Sequence, residues 1–334
     1  MTIGGGVVAD LFPPDQRGLA TSLYSLGPLF GPTVGPILGG FIGQRLGWRW
    51  VFWILLISGS VITIAIECFT AETNAQVLIQ RKTKRLQEEL NRPDLRSVYD
   101  SGDPQSGSRV ILDGLIRPLK MLFLNPLIGL LSLYMAVAYG LLYLVFTTVP
   151  TIFKDQYGFS PEISGLAYIG IGIGFMAGLA TVAKLSDPTV VRLTKANGGV
   201  FEPEMRLPFC IIFACFIPVA FFWYGWSAYY KAHWIVPIIG LFPLGFGLMG
   251  IFIPIQTYLI DSFPKYAASG IAALTISRSL FGAVLPLAGL PMYSTLGYGW
   301  GNTVLGFVAV AIIPAPLLIF KFGGKIRKSH PMNV

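Results

Sequence analysis

Apolar residues in this chain come in long uncharged runs separated by short charged stretches. Eight runs reach about 20 residues, the length that crosses a bilayer core as a helix. They lie at 20–44, 50–69, 127–152, 162–184, 208–230, 234–260, 268–292 and 300–321. In lipid each backbone polar group must find its partner within the segment, so these runs predict helices and not open strands. Residues 1–9 are apolar but too short to span, and they lack the charged start of a signal peptide. In the one long polar stretch, Val77, Leu78, Leu86 and Leu90 recur among charges with helical spacing, which predicts an amphipathic surface helix over 76–90. Residues 100–108, DSGDPQSGS, read as a flexible linker.

Composition agrees with that pattern. Of 334 residues, 54% are hydrophobic and only 12% charged, about half the charge of a soluble domain. This excludes an ordinary soluble enzyme and a disordered chain. The net charge of +8 does not indicate nucleic acid, because the basic residues flank apolar runs and form no single patch. Nineteen of the 24 Lys and Arg fall on one side of the predicted spans and four on the other. The basic side is expected in the cytosol, and with it the C-terminus and the 70–126 loop. Cys68, Cys210 and Cys215 give no disulfide framework, and two histidines are too few for a histidine metal site. No cofactor or metal is expected.

The chain also repeats itself. At an offset of 251, Asp10 meets Asp261, Phe12-Pro13 meets Phe263-Pro264, Leu23 meets Leu274, and Leu29-Phe30-Gly31 meets Leu280-Phe281-Gly282. One residue of slip later, Gly47 meets Gly297 and Trp50 meets Trp300. Same-orientation repeats joined by a long loop are one construction of secondary transporters. The second copy has three spans ahead of the one that ends at Asp261, and the first copy has none ahead of Asp10. By symmetry about three and a half spans are expected to precede residue 1.

The densest motif is Gly27-Pro28, Gly31-Pro32, Gly35-Pro36 and Gly39-Gly40 in the first full span. Glycine at every fourth position lines one helix face and lets a neighbour approach closely. The prolines remove donors and bend the helix. The run Gly31-x-x-x-Gly35-Pro36-x-x-Gly39-Gly40 resembles the antiporter motif of the major facilitator superfamily. The segments GGGVVADLFPPDQRG at 4–18, GWRWVFWI at 47–54, SGLAYIGIGIG at 164–174, YLIDSFPKYAASGIAA at 258–273 and RSLFGAVLPL at 278–287 resemble its fungal twelve-span drug:proton antiporter branch. Glu72-Thr73-Asn74-Ala75-Gln76 departs from the Glu-Thr-Tyr-Ala-Pro-like stretch usual there.

The resemblance implies an all-α, polytopic membrane helical bundle of the major facilitator fold, with the first three to four spans missing. Residues 1–70 would be the remainder of an N-terminal bundle, 71–126 a cytosolic central loop, 127–322 a six-helix C-terminal bundle and 323–334 a cytosolic tail. It implies proton-coupled efflux of small amphipathic molecules (drugs, toxins or secondary metabolites) by alternating access. The partners would be a small-molecule substrate, protons and the bilayer, with a monomer in the plasma membrane. Two alternatives stand beside it: a non-transporting remnant, and a membrane-embedded enzyme. The enzyme would need a reactive constellation in a polar pocket, and His233 stands alone.

Asp10 and Arg17 are spaced for a charge pair or a helix cap at the bilayer edge; in the resembled family such pairs, with Asp261 in the second copy, latch the inner gate. Arg278 is the one charge well inside an apolar run, so it is expected to face a cavity or a partner. Tyr134, Tyr139 and Tyr143, with Gln256 and Tyr258, lie in spans that the resemblance places around the central cavity. Phe221 to Trp226 reads as an interfacial aromatic belt, and GIGIG at 170–174, without the Lys-Ser/Thr end of a phosphate loop, as a helix contact.

Overall fold

The structure, a computed structural model, describes residues 2–13, 15–98 and 107–329. All regular elements among them are helical. In chain order they are α1 (Thr2–Leu11), α2 (Arg17–Arg45), α3 (Trp48–Phe69), α4 (Ala75–Glu89), α5 (Gly107–Leu124) and α6 (Pro126–Tyr157). Then come α7 (Pro161–Ala196), α8 (Pro203–Tyr229) and α9 (Ile235–Ser262), each with a short 3₁₀ turn or kink. The chain closes with α10 (Ala267–Val284), α11 (Gly289–Ile312) and α12 (Pro314–Ser329).

Seven helical stretches among the described residues are long and apolar enough to cross a membrane. The last of them, Ala267–Arg327, holds 61 residues. As one rod it would be about 90 Å long, roughly three times the hydrocarbon thickness. It is broken at Gly297, at φ 70° and ψ 171°. Across that break the Tyr293 hydroxyl donates to Asn302 Oδ1 at 3.1 Å. The returning arm packs Gly299 on Trp226 and Tyr229, and it ends with Arg327 against Glu204. The stretch therefore divides into two arms at Gly297, and the described helices cover all eight apolar runs read from the sequence.

Local sequence explains the boundaries. Asn125 caps α6, its Oδ1 accepting from Leu127 N at 3.1 Å and Ile128 N at 3.3 Å, with Pro126 in the first turn. Gly158, left-handed at φ 67°, ends it. Asn74 caps α4 in the same way, and a helix over Ala75–Glu89 covers most of the 76–90 stretch. Most of the expected linker, 100–106, lies outside the described residues. Its last residues, 107 and 108, already belong to α5, a helix in the stretch expected as the 70–126 loop. The helix carries Pro118 within it, and its Met121 is fully buried. In the turn after α4 the Arg92 guanidinium, 2.7 Å from Asp94, holds that carboxyl below the usual carboxylate range. Both side chains are exposed, so the pair adds little stability.

The core sits among α6 to α11, with Leu127, Met135, Phe153, Phe221, Tyr224 and Ile253 nearly inaccessible. Phe221 and Tyr224 are thus core residues and not an outer belt, while Trp223 is exposed. The Gly-rich run of α7 makes a close backbone contact with α9. Cβ atoms at Gly170, Gly174 and Gly178 would lie 2.0, 2.3 and 2.7 Å from the backbone oxygens of Ile238, Phe242 and Phe246 on α9. Gly172, turned to the other side, abuts Thr33 of α2. Outside the core, α3 has no buried residue and exposes Trp48, Trp50 and Trp53.

The two repeat copies share a backbone feature. Gly47 precedes α3 as its N-cap at φ 90° and ψ 156°, and Gly297 breaks the last long helical stretch at φ 70° and ψ 171°. Both values lie in a region that only glycine readily enters.

Candidate functional site

Two polar constructions are buried among these apolar helices. The first lies where α2, α7, α8 and α9 meet. Arg17, at the start of α2, places Nη1 2.8 Å from Asp261 Oδ1 near the end of α9. Its Nε donates to the Phe12 carbonyl at 3.0 Å. Asp261 also accepts from Arg206 Nε at 3.1 Å. Arg206, wholly inaccessible, reaches Asp187 of α7 through Nη1 at 2.6 Å and Ser186 Oγ at 3.3 Å. Asp187 returns the chain of contacts to α2 by accepting from Gly18 N at 3.2 Å and Leu19 N at 2.9 Å. An anion at a helix N-terminus is favoured by unpaired amides and by the helix dipole. Gly18 permits that approach, because a Cβ there would sit 2.4 Å from Asp187 Oδ1. Two arginines and two aspartates thus form one buried network in which both carboxylates are satisfied by several donors, as buried charges require.

The expectation of an Asp10–Arg17 pair is corrected here. Arg17 turns to Asp261, and Asp10 is exposed at the end of α1. The reach explains it: Asp261 already sits under Arg206, so Arg17 completes a shared carboxylate. Sequence reading missed Asp187 and Arg206, because the 185–207 stretch reads as a solvated loop. In fact α7 continues through Pro188 to Ala196.

Beside this network, Glu204 receives Arg327 of α12 in a two-pronged contact, Nε to Oε1 at 3.1 Å and Nη2 to Oε2 at 3.3 Å. The Tyr258 hydroxyl donates to Glu204 Oε1 at 3.3 Å. Tyr258 was expected in the cavity and lies here instead. Helix geometry gives the reason, since residues two apart point about 200° apart: Phe252 faces the cavity and Gln256 follows it by four, whereas Tyr258 turns toward α8 and α12. Gln256 is buried but is not among the cavity walls. The expected tail at 323–334 is helical as far as Ser329 and is held by Arg327; residues 330–334 lie outside the described residues.

The second construction is a cavity of about 50 Å³. Arg278 of α10 lies in its wall, 6% exposed, with its guanidinium carbon 4.9 Å from the Tyr139 ring centre and 5.0 Å from that of Phe252. The Tyr139 and Tyr143 rings of α6 lie 4.7 Å apart at a tilt of 35°, with their hydroxyls 3.2 Å apart. Pro28 and Pro32 of α2, Phe175 of α7 and Met249 of α9 complete the walls. The expected grouping of Arg278 with Tyr139 and Tyr143 is therefore seen. Tyr134 is buried in the core but is not a wall of this cavity. The arrangement offers one cation on an aromatic bed, with apolar walls for a body attached to a negative head.

The glycine motif of α2 behaves differently from its expectation. Among the described residues a Cβ at Gly27, Gly31, Gly35 or Gly39 would meet nothing within 4 Å, and of this motif only Gly40 is crowded, 2.9 Å from the Pro161 carbonyl oxygen. The close contact between α2 and α7 uses the opposite helix's glycines: Gly165 sits 2.8 Å from the Pro36 oxygen and Gly172 against Thr33. The motif's prolines, not its glycines, reach the cavity, and Pro36 reaches α7. Among the described residues no group of three or more His, Cys, Asp and Glu is placed to hold a metal ion.

Comparison with known proteins adds a family. The model of the Major Facilitator Superfamily matches residues 1–286. The MFS-type transporter penM of Penicillium rubens is 47% identical over 334 residues, which is all of this chain and 65% of that protein. The MFS transporter cpaT of Aspergillus oryzae is 46% identical over 334 residues, again all of this chain and 67% of that protein. The MFS transporter prlG of a fungal species is 45% identical over 335 residues, covering 70% of its length. The chain thus spans about two thirds of the length of these relatives.

Proposed function

Because this chain belongs to the Major Facilitator Superfamily, we propose that it acts in secondary transport, moving small amphipathic molecules out across a membrane by alternating access. The carrying observation is the cavity around Arg278, whose walls come from α2 in the first repeat copy and from α6, α7, α9 and α10 in the second part of the chain. A site shared by two units that can rock against each other is the arrangement alternating access needs.

In this reading Arg278 holds the negative or acidic oxygen of the substrate, and Tyr139, Tyr143 and Phe252 hold its apolar body. The cavity is smaller than a ligand pocket of a few hundred Å³, so it widens as the helices part. The Arg17–Asp261–Arg206–Asp187 network is the latch of one gate. It lies at the basic end of the bundle, which the positive-inside rule assigns to the cytosol together with the C-terminus. Efflux is driven by protons, and the membrane is the plasma membrane. Asp10 belongs to the same gate by its repeat position opposite Asp261. The Gly27–Gly40 motif acts as the stiff, bent wall between the two units.

The test is export from energised vesicles containing the chain. A fluorescent amphipathic acid should leave against its gradient when a proton gradient is imposed, and export should stop on adding a protonophore. Export that ignores the gradient would refute proton drive. A second reading, that this chain alone does not transport, draws on the open glycine face of α2 and the wholly unburied α3. Absence of any gradient-driven export from correctly inserted protein would favour it.

A further inference from the structure

The Arg278 cavity has a thin wall on its lipid side. Phe175 of α7, only 2% exposed, borders the cavity and also a second space between α2 and α7. That second space is a crevice of about 220 Å³. Val34 bounds it on α2, and Ile173 and Met176 bound it on α7. Ile173 is 57% exposed and Met176 42%, so its mouth lies on the outer face of the bundle, where lipid is the solvent. The crevice runs on into an apolar groove of about 480 Å³ between α7 and α9, with Ile173 common to both. At its floor Gly172 lets Thr33 press against the α7 backbone, which fixes the spacing of the two helices beside the opening.

Three spaces in series thus lead from the lipid-facing surface to a buried guanidinium, with one aromatic ring between the second and the third. The crevice walls are almost wholly apolar, so an apolar body loses nothing by leaving the bilayer for them. They offer a negative head no partner until Arg278, where a charge within the membrane finds its counterion. We propose that lipophilic molecules with an anionic head enter the cavity sideways from the bilayer, between α2 and α7, and that the Phe175 ring is the gate. This rests on the reading of the Arg278 cavity as a substrate site and adds the route and the substrate's partition into lipid.

The probe is 11-(dansylamino)undecanoic acid, an amphipathic anion whose emission reports an apolar site. The full chain in phosphatidylcholine vesicles is mixed in a stopped-flow cell with vesicles preloaded with the probe. Ile173→Trp fills the mouth of the crevice from α7, and Val34→Trp fills it from α2; neither residue borders the Arg278 cavity. Both should slow association about fivefold or more at unchanged equilibrium affinity, as a blocked gate does. Phe175→Ala should speed association. Arg278→Ala should weaken equilibrium binding. Wild-type association rates in both Trp variants, with affinity still dependent on Arg278, would overturn the lateral route and leave the cavity reading standing. Binding by the wild-type chain that does not depend on Arg278 would overturn the cavity reading and the route with it.

Discussion

Arg17 and Asp261 lie 244 positions apart in the chain and meet at 2.8 Å. The Asp261 side chain is fully inaccessible and serves Arg206 as well. One carboxylate therefore ties the start of α2 to the end of α9 and the start of α8.

Removing that carboxylate's charge takes one anion from each of two buried guanidinium groups, while Arg206 keeps Asp187. Asp261→Asn should cost about 3–5 kcal/mol, the range for breaking a buried ion pair by deleting one partner. Thermal unfolding in detergent checks it, and a melting temperature equal to wild type would show that the network adds no stability. Asp10→Asn, at an exposed site, should leave the melting temperature alone.

The glycines separate into crowded and open ones. Gly174→Ala puts a methyl 2.3 Å from the Phe242 backbone oxygen, which cannot yield cheaply. The cost should be about 1–3 kcal/mol, as for overpacking elsewhere. Gly31→Ala and Gly35→Ala meet nothing, and replacing helical glycine by alanine should be neutral or stabilising by up to about 1 kcal/mol. Equal destabilisation of both sets, read by unfolding in detergent, would mean that the α2 face is covered in the working protein.

Arg278→Ala removes the only cation of the cavity walls. Affinity for an anionic amphiphile should fall about 10- to 100-fold, the worth of a charged hydrogen bond, with insertion into the membrane unaffected. Arg278→Lys should recover part of the loss. Unchanged affinity in the alanine variant would dismiss Arg278 as the head-group partner.

Gly18→Ala tests the other end of α2. The added methyl would push Asp187 off the amides of Gly18 and Leu19. Loss of the cap should cost about 1–2 kcal/mol. Protease digestion of vesicles should then cut the Phe12–Leu19 region faster. An unchanged cutting rate would show that Asp187 follows the methyl without loss.

Much of the fold is legible in the sequence, because a bilayer demands long uncharged helices and marks their ends with Asn, Pro, Gly and Trp. Gly47 and Gly297, matched by simple offset, adopt nearly the same backbone angles. The cavity was legible in part. A lone arginine in an apolar run must find a cavity or a partner, and Tyr139 and Tyr143 are one helix turn apart on a facing span. What stayed hidden is tertiary. Arg206 and Asp187 sit in a stretch rich in charge and proline, which a linear reading assigns to water. Their partners lie on other helices, and only the packing of α2, α7 and α9 buries them. The resemblance places a whole span beside the cavity and does not say which side of the helix Tyr258 takes; its hydroxyl donates to Glu204.

The paired glycines at 47 and 297 have one more consequence. The molecule carries two samples of a single backbone shape, set in different surroundings. Around Gly297 the flanks are tied by Tyr293 and Asn302, whereas Gly47 joins α2 to a helix without a buried residue. The same alanine substitution made at each would strain the chain equally, so any difference in outcome measures the neighbourhood alone. The protein thereby supplies its own internal control.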